Sequence, residues 1–278
     1  LAKAIFRNKI RLVLRIQVYT ASRALDVKKS RWRFRIIKKI ERFALCQADL
    51  VIPISKFTYD LVVSQGVRPD KIVILPVPVL WFKDAKITDL PTTNRILFVG
   101  RLEKEKGLHI LLHAMVMAKK EVPNIHLLIA GEGTFRSVLE QIVRSLGIYE
   151  HVSFLGWLKT DDLRNLYKEA YILILPSIMQ EGLGMVLVEA GLMGRPVVAS
   201  NIGGIGDIVR HGENGLLVPS GDAKALADAI VTTLKDRALA QRMGVAGARI
   251  AREYLQKRTE AVECVHKAIY ELMGDGLK

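Results

Sequence analysis

Short apolar runs alternate with longer stretches of helical periodicity along most of the chain from Asn94 onward. Most of the apolar runs are continuous rather than alternating with polar residues, which is typical of strands buried on both faces of a parallel sheet. The predicted strands are Arg95–Val99, Ile125–Ile129, Val152–Leu155, Tyr171–Leu175, Pro196–Ala199 and Gly215–Val218. The predicted helices between them are Leu108–Lys120, Thr134–Leu146, Asp161–Glu169, Met185–Met193 and Ala223–Leu234.

This order of strand, helix and strand predicts an α/β domain that contains one complete, doubly wound parallel sheet with right-handed crossovers. Such sheets bind ligands in the crevice outside the carboxyl ends of their strands. We therefore expect the functional residues in the loops that follow Val99, Ile129, Leu155, Leu175 and Ala199.

The upstream residues predict a second, smaller α/β lobe over residues 1–82. Its strands would be Leu12–Val18, Asp49–Ile54 and Lys71–Leu75, with a helix at Lys56–Ser64. Two or three strands are fewer than a typical sheet contains, and residue 1 is Leu, so we expect the front of this lobe to be missing. The polar residues 83–94 predict an interdomain linker, 95–255 form the second domain, and 256–278 predict a helix that packs back towards the first lobe.

Composition narrows the possible classes of protein. The chain has 278 residues, of which 50% are hydrophobic, so it is predicted to fold. Its two cysteines, Cys46 and Cys264, have no partner at metal-ligand spacing, which argues against a zinc module or a disulfide framework. Without an apolar run of about 18 residues or a secretory signal, the sequence predicts a cytoplasmic protein.

Positive charge is concentrated at the amino terminus. Residues 1–42 hold 14 of the 42 Lys and Arg and 2 of the 28 Asp and Glu, which leaves 28 basic and 26 acidic residues elsewhere. Within this segment, Trp32, Ile36, Ile40 and Phe43 lie at helical spacing among basic residues. We expect this apolar stripe to pack in the core of the first lobe and the charges to face an anionic membrane surface. Nucleic acid is disfavoured because aromatic stacking platforms are not interleaved with the charges.

The loop between the fourth predicted strand of the second domain and the next helix is rich in glycine. Gly182 and Gly184 allow close approach of a ligand to the backbone, and the helix that follows presents its amino-terminal N–H groups, so the loop predicts an anion site. Glu181 and Glu189 flank this loop. Because carboxylates repel phosphate, we expect them to accept hydrogen bonds from hydroxyl groups, as of a ribose and a sugar.

A second loop, Val99–Gly107, follows the first strand of the same domain. Gly100 allows a tight turn, and Arg101 and Lys106 could neutralise a diphosphate in the crevice. A solvated charged loop is the alternative, and it is disfavoured because the loop lies on the binding edge of the sheet. Two further glycine-containing segments, Ile129–Gly133 and Ser200–Gly206, also follow strands, and each is weak evidence alone.

Taken in order, these motifs resemble the family-four retaining glycosyltransferases of the GT-B fold. The resemblance covers roughly residues 36–255 and rests on a series of short segments. They are Ala48–Ser55, Phe98–Leu102 with Lys106-Gly107, Ala130–Gly133, Phe154–Gly156, Leu175–Ser177, Glu181–Gly184 with Glu189-Ala190, Gly194–Ser200, Gly203-Gly204 and Gly212–Val218.

The resemblance implies a fold and a role for each site residue. It implies two Rossmann-like domains, with a nucleotide-diphosphate sugar (UDP- or GDP-sugar) as donor, a glycan or lipid-linked acceptor, and neither a cofactor nor a metal. Arg101, Lys106 and Glu181 would be catalytic, the first two at the diphosphate and the third near the reacting carbon of the sugar. The donor would also be bound by Gly100, Gly131, Gly156, Gly182, Leu183, Gly184, Met185 and Glu189.

Two features depart from the family pattern. Residues 1–108 contain no histidine, whereas the family usually places one near the donor sugar, and Gln17 lies where we would look for it. Either the histidine belongs to the missing front of the lobe or a different residue makes this contact. Val77-Pro78 stands where the family tends to have Asn-Gly. Because the front of the first lobe is expected to be missing, a nucleotide-sugar-binding chain without transfer activity remains an alternative. An epimerase of the same architecture is a further alternative, and it is disfavoured because Glu181 and Glu189 with Arg101 and Lys106 indicate transfer.

Overall fold

The computed structural model describes residues 11–17, 31–82 and 84–274. They divide into two compact units. The first contains the described residues up to Pro78 together with those from Leu255 onward, and the second is Val79–Tyr254. Val18, the predicted end of the first strand, lies outside the described residues. So do residues 1–10 and 19–30 of the basic amino-terminal segment.

The second unit is built on a six-stranded sheet in which every neighbouring pair of strands is parallel. Its strands, β3 to β8 in chain order, are Arg95–Val99, His126–Ala130, Val152–Gly156, Ile172–Leu175, Val197–Ser200 and Gly215–Val218. Their order in the sheet is β5-β4-β3-β6-β7-β8. Each predicted strand of this domain is present within one residue at either end, because uninterrupted apolar runs are required where helices cover both faces.

The helices of this unit, α3 to α7, are Leu108–Glu121, Arg136–Ser145, Thr160–Glu169, Met185–Leu192 and Ala223–Lys235. A large core, which includes Ile96, Phe98, Leu111 and Ile129, forms between the sheet and helices α3, α4 and α7. The doubly wound α/β fold predicted for this domain is therefore confirmed.

The strand order places a topological switch point between β3 and β6. From β3 the chain adds β4 and β5 on one side and then returns to add β6, β7 and β8 on the other. The loops that follow β3 and β6 consequently leave the sheet side by side in opposite directions, which opens a crevice at their carboxyl ends.

The first unit contains a small parallel sheet of β1 (Val13–Ile16) and β2 (Leu50–Pro53). Helix α1 (Arg31–Gln47) precedes β2, and α2 (Lys56–Ser64) follows it with Ser55 as an N-cap in a capping box. The predicted strand Lys71–Leu75 is only partly formed: the backbone N–H groups of Val73 and Leu75 donate to β2, but Pro69–Lys71 is a 3₁₀ turn.

The apolar stripe of α1 is not in the core, so that expectation was wrong. Trp32, Ile36, Ile40 and Phe43 are 60%, 45%, 62% and 52% exposed. The helix instead packs through the opposite face, which carries the buried Leu45 and the half-buried residues Ile37, Glu41 and Ala44. Since either face has helical spacing, the pattern alone does not say which one the sheet covers.

The segment predicted as a linker is held on the second unit by two arginines. The fully buried Arg195 donates to the backbone oxygens of Thr88 and Asp89, and Arg237 donates to those of Leu90 and Pro91. Burial lowers the pKa of Arg195 to about 10, which leaves it charged at neutral pH.

The last helix, α8, runs over Arg237–Gly274 and crosses the boundary between the units after Tyr254. Its final turns belong to the first unit, where Val265 packs with Leu50 and Ile52 of β2. Within the described parts of the chain, no helix has both the length and the apolar character needed to span a bilayer.

Candidate functional site

The loops after β3 and β6 contact each other at the switch point. The backbone N–H of Ile178 donates to the carbonyl oxygen of Glu105 over 2.9 Å. Gly107, at φ +70°, comes so close to the other loop that a β-carbon there would lie 1.9 Å from the Pro176 carbonyl oxygen. Glycine is therefore required at position 107 for both its conformation and its size.

Two of the predicted catalytic residues meet at this contact. Lys106 forms an ion pair with Oε1 of Glu181, 75 residues later in the chain. The Ser177 hydroxyl, which is completely buried, donates to the same oxygen over 2.6 Å. Both side chains of the ion pair are less than one-fifth exposed, so their interaction is screened less than a surface pair would be.

Arg101, the third predicted catalytic residue, lies elsewhere on the β3 loop. Its side chain is 55% exposed and pairs with Glu105 over 3.1 Å. An exposed pair of this kind contributes about 0–1 kcal/mol, so it is readily exchanged for a stronger anionic partner. The structure thus brings Lys106 and Glu181 together and leaves Arg101 on the solvent side of the same loop.

The predicted anion site is the amino terminus of α6. Gly184 is its N-cap, at φ +83°, and makes no side-chain capping bond; Met185 is the first helical residue. Gly182 and Leu183 are buried just before it. The backbone amides of the first helical turn therefore lie at the edge of the sheet beside Glu181, where the helix dipole favours negative charge.

The double glycine after β7 supports the Glu181 loop from behind. The N–H of Gly204 donates to the Glu181 carbonyl over 2.8 Å. A β-carbon on Gly203 would lie 2.4 Å from that carbonyl oxygen, and one on Gly204 would lie 2.2 Å from the Gly182 oxygen. Two adjacent glycines are thus explained by backbone packing beneath the loop.

The remaining predicted donor-binding glycines bring the outer loops close together. Gly100, Gly131 and Gly156 all have positive φ, at +154°, +141° and +71°. The Gly131 N–H donates to the Gly156 carbonyl over 2.7 Å, and a β-carbon on Gly131 would lie 1.9 Å from the Gly100 carbonyl oxygen. Trp157, 74% exposed, follows immediately.

Glu189 lies inside α6 and is only 5% exposed. Its Oε1 accepts from the Trp81 indole N–H over 3.1 Å, and its Oε2 accepts from the Tyr167 hydroxyl over 2.9 Å. Burial raises the pKa of this carboxyl group, and the two hydrogen bonds partly oppose that shift. Burial and the neighbouring carboxylate raise the pKa of Tyr167 well above its usual value, so the tyrosine remains a donor.

The sequence analysis did not identify three residues of this site. Ser177 stands inside a motif that was singled out, and its position four residues before Glu181 could have suggested the contact. Trp81 and Tyr167 carried no such signal, because they are 108 and 22 residues from the carboxylate that they bind. Gln17, the suggested substitute for the family histidine, follows β1 and is exposed.

Among the residues that the structure describes, no group of three or more His, Cys, Asp or Glu side chains is placed to hold an ion. The expectation of a reaction without a metal stays a prediction.

Known proteins are similar to this chain mainly over the part that contains the site. The family model described as "Glycosyl transferases group 1" matches residues 81–249. An uncharacterized glycosyltransferase of Methanocaldococcus jannaschii is 40% identical over 141 residues, which is 51% of this chain and 36% of the relative. A phosphatidyl-myo-inositol mannosyltransferase of Mycobacterium leprae is 38% identical over 160 residues, or 57% and 42% of the two chains. The chain thus aligns with well under half of the length of these relatives.

A solved structure covers more of the chain. Sucrose-phosphate synthase from Thermosynechococcus elongatus superposes with a TM-score of 0.84 and 25% identity, over 98% of this chain and 71% of its own. This likeness confirms the expected α/β architecture of the GT-B type. The family match covers more than half of the residues and includes both loops of the switch point. The chain therefore belongs to the family of glycosyl transferases group 1.

Proposed function

We propose that this protein transfers a sugar from a nucleotide-diphosphate sugar to an acceptor hydroxyl with retention of anomeric configuration. The observation that carries the proposal is the Lys106–Glu181 ion pair, which lies beside the amino terminus of α6 at the switch point of the sheet. A cation, a helix amino terminus and a carboxylate at one crevice match the diphosphate and the hydroxyls of such a donor.

The diphosphate is expected to bind between the two loops. Lys106 and the amides of Gly184 and Met185 supply positive charge and N–H donors on one side, and Arg101 supplies a bidentate donor from the solvent side. Lys106 has to exchange Glu181 for phosphate oxygens when the donor binds. This exchange frees the Glu181 carboxylate to accept hydrogen bonds from the sugar hydroxyls near the reacting carbon.

The nucleoside end of the donor is assigned to the outer loops and to α6. Glu189 would accept hydrogen bonds from the ribose hydroxyls, and the segment from Phe154 to Trp157, in which Leu155 and Trp157 are exposed, would meet the base beside Gly131. Both UDP and GDP fit this chemistry, because the contacts expected near the base are mostly with the backbone.

The chemical step follows from these positions. The bond between the anomeric carbon and the diphosphate oxygen breaks, while the acceptor oxygen forms a bond to that carbon on the same face. The departing nucleoside diphosphate takes the proton of the acceptor hydroxyl, so atoms and charges balance. Lys106, Arg101 and the α6 amides stabilise the negative charge that develops on the leaving diphosphate, which is where such sites supply most of their rate enhancement.

The proposal is tested by calorimetry and by turnover. The protein is titrated with UDP, GDP, UDP-glucose and GDP-mannose, and the anomeric configuration of any transferred sugar is read by NMR. Lys106→Met should weaken diphosphate binding about 10- to 100-fold, the equivalent of one lost charged hydrogen bond, whereas Lys104→Met, in the same turn but exposed, should not.

Each outcome distinguishes the alternatives. Binding without transfer to any glycan or lipid-linked acceptor would favour a nucleotide-sugar-binding chain, and conversion of the donor sugar without an acceptor would favour an epimerase. Equal binding by the Lys106→Met and Lys104→Met variants would show that the assigned roles are wrong.

We also propose that the protein works at the cytoplasmic face of a membrane, in the synthesis of a glycan, polysaccharide or glycolipid. Four exposed apolar side chains of α1 fall within about a quarter turn of the helix, with the exposed Arg35, Lys38, Lys39 and Arg42 along one flank. An exposed apolar face bordered by basic residues is the arrangement with which helices bind anionic lipid. A lipid-linked acceptor would be presented at such a surface.

A further inference from the structure

Glu189 is short of hydrogen-bond donors. An ionised carboxylate has about four lone-pair sites, and Glu189 uses one for Trp81 and one for Tyr167. Burial is the largest influence on the pKa of this carboxyl group, and the hydrogen bonds from Tyr167 and Trp81 oppose it. A buried carboxylate in this state gains from further donors, and the two adjacent hydroxyls of a ribose would supply them.

The two donors that Glu189 already has are held rigidly. Tyr167 is completely buried, and its ring meets that of Phe82 edge to face with centroids 5.4 Å apart. Phe82 is also completely buried, and the Arg164 guanidinium lies 5.6 Å over its ring. The same guanidinium donates to the carbonyl oxygen of Trp81.

Trp81 therefore does not reach Glu189 by chance. The short turn Leu80–Phe82 is anchored on α5 by Phe82 and Arg164, and this anchoring directs the indole N–H to a carboxylate 108 residues away. Trp81 is 40% exposed, so the residue is accessible from the solvent while its N–H is held at the carboxylate. Its N–H fixes one carboxylate oxygen.

We propose that Trp81 is a positioning residue that, with Tyr167, fixes the Glu189 carboxylate so that it distinguishes ribonucleotides from 2′-deoxyribonucleotides. This inference rests on the proposed function, since it needs a nucleotide in the crevice. The indole and phenol each fix one oxygen and thereby remove the rotational freedom of the carboxylate. The ribose hydroxyls then meet an acceptor that is already oriented, so the binding free energy is not reduced by the entropy of ordering the carboxylate.

The test compares the affinities of UDP and 2′-deoxy-UDP, and of GDP and 2′-deoxy-GDP, by calorimetry. The wild-type protein should prefer the ribonucleotide about 10-fold, the equivalent of about one hydrogen bond. Trp81→Phe keeps an aromatic ring but loses the N–H, and it should reduce this preference at least threefold by weakening the ribonucleotide alone. Tyr167→Phe should act in the same direction, and Trp32→Phe, on α1, should change neither affinity.

A pH series gives a second readout that a merely structural role would not move. The hydrogen bond from Trp81 lowers the pKa of Glu189, so its removal raises that pKa. Ribonucleotide affinity should fall as pH falls through this pKa, and in Trp81→Phe the fall should begin at higher pH. Circular dichroism and the melting temperature report whether each variant is folded.

The possible failures are distinguishable. Equal loss of both nucleotides in a folded Trp81→Phe protein would make Trp81 a packing residue and overturn the inference. Tighter ribonucleotide binding in that variant would show that the indole competes with the ribose, which also overturns it. If the wild-type protein binds no nucleotide at all, the proposed function itself fails, and this inference fails with it.

Discussion

Gly204 lies so close to Gly182 that a β-carbon at position 204 would be 2.2 Å from the Gly182 carbonyl oxygen. The Gly204 N–H also donates to the carbonyl of Glu181, which is the residue that pairs with Lys106. Both contacts are made to the backbone, so no change of side-chain rotamer can relieve a clash there. The position of the Glu181 carboxylate therefore depends on the absence of a side chain in another loop.

We expect Gly204→Ala to displace the Glu181 loop and to reduce donor binding. Overpacking a close contact costs about 1–3 kcal/mol, and part of this cost should appear as a lower melting temperature. Calorimetry with UDP and thermal denaturation measure the two effects.

Gly206→Ala is the matched control for this prediction. Gly206 lies in the same short helix, Gly203–Asp207, but a β-carbon there would meet nothing within 4 Å. If both variants behave alike, the packing of Gly204 against Gly182 does not hold the loop.

Ser177→Ala should lower the rate of sugar transfer while the protein remains folded. Its buried hydroxyl donates to Glu181 Oε1 over 2.6 Å, and a typical hydrogen bond to a charged group contributes about 1.5–3 kcal/mol. Without it, Lys106 is the remaining described partner of that oxygen. Turnover with saturating donor measures the effect.

Ser220→Ala is the matched control for Ser177→Ala. The Ser220 hydroxyl donates to the Ser177 carbonyl oxygen over 3.1 Å, so it contacts the same segment without touching the carboxylate. An equal loss of turnover in both variants would contradict a specific role for the Ser177 hydroxyl.

Residue pattern alone predicted the second unit well because its requirements are local. A strand covered on both faces must be apolar throughout, and β3 and β8 coincide with predicted strands residue for residue. Parallel strands also bring their carboxyl ends to one edge, so the switch-point loops, with Lys106 and Glu181, could be placed at one edge without coordinates.

The misses have a different physical origin. Helix α1 has two faces with helical spacing, and the face with larger apolar residues is the exposed one, because the choice depends on what the neighbouring sheet covers. The contact between Trp81 and Glu189 depends on how Phe82 and Arg164 anchor a short turn. Neither relationship repeats along the chain, so no periodicity could reveal it.

The stability of the protein should fall on mild acidification, in part because of His126. Burial lowers the pKa of this residue, with a further contribution from the charge of Arg95, and its Nε2 lies 2.8 Å from the Ser153 hydroxyl. Below about pH 6.5 the unfolded chain takes up a proton that the folded chain does not, so the free energy of unfolding decreases as pH falls. Above that pH the residue is neutral in both states and adds no pH dependence.

Urea denaturation between pH 8 and pH 5.5 checks this prediction. At pH 7.5 and above, where the histidine is neutral, His126→Gln should lower the free energy of unfolding by a constant amount. On acidification, the urea midpoint of the variant should fall less than that of the wild-type protein. Parallel curves for the two proteins would show that His126 does not titrate differently in the folded state.

The exposed apolar face of α1 gives the last prediction. If it enters the lipid interface, the protein should float with vesicles that contain anionic lipid and should not float with neutral ones. Ile40→Glu places a negative charge in the middle of the face and should abolish flotation, because it removes apolar contact and repels anionic headgroups. Raising the salt concentration should weaken binding, since the basic flank contributes about 1 kcal/mol for each residue near the surface.

Val245→Glu provides the control, since Val245 is 62% exposed on α8 in the second unit, as Ile40 is on α1. Both substitutions change the net charge equally, so a difference between them depends on position alone. Flotation on neutral vesicles, or equal loss in the two variants, would show that the α1 face does not bind anionic lipid. Loss in Ile40→Glu alone, with unchanged UDP affinity, would separate membrane binding through the first unit from donor binding in the second.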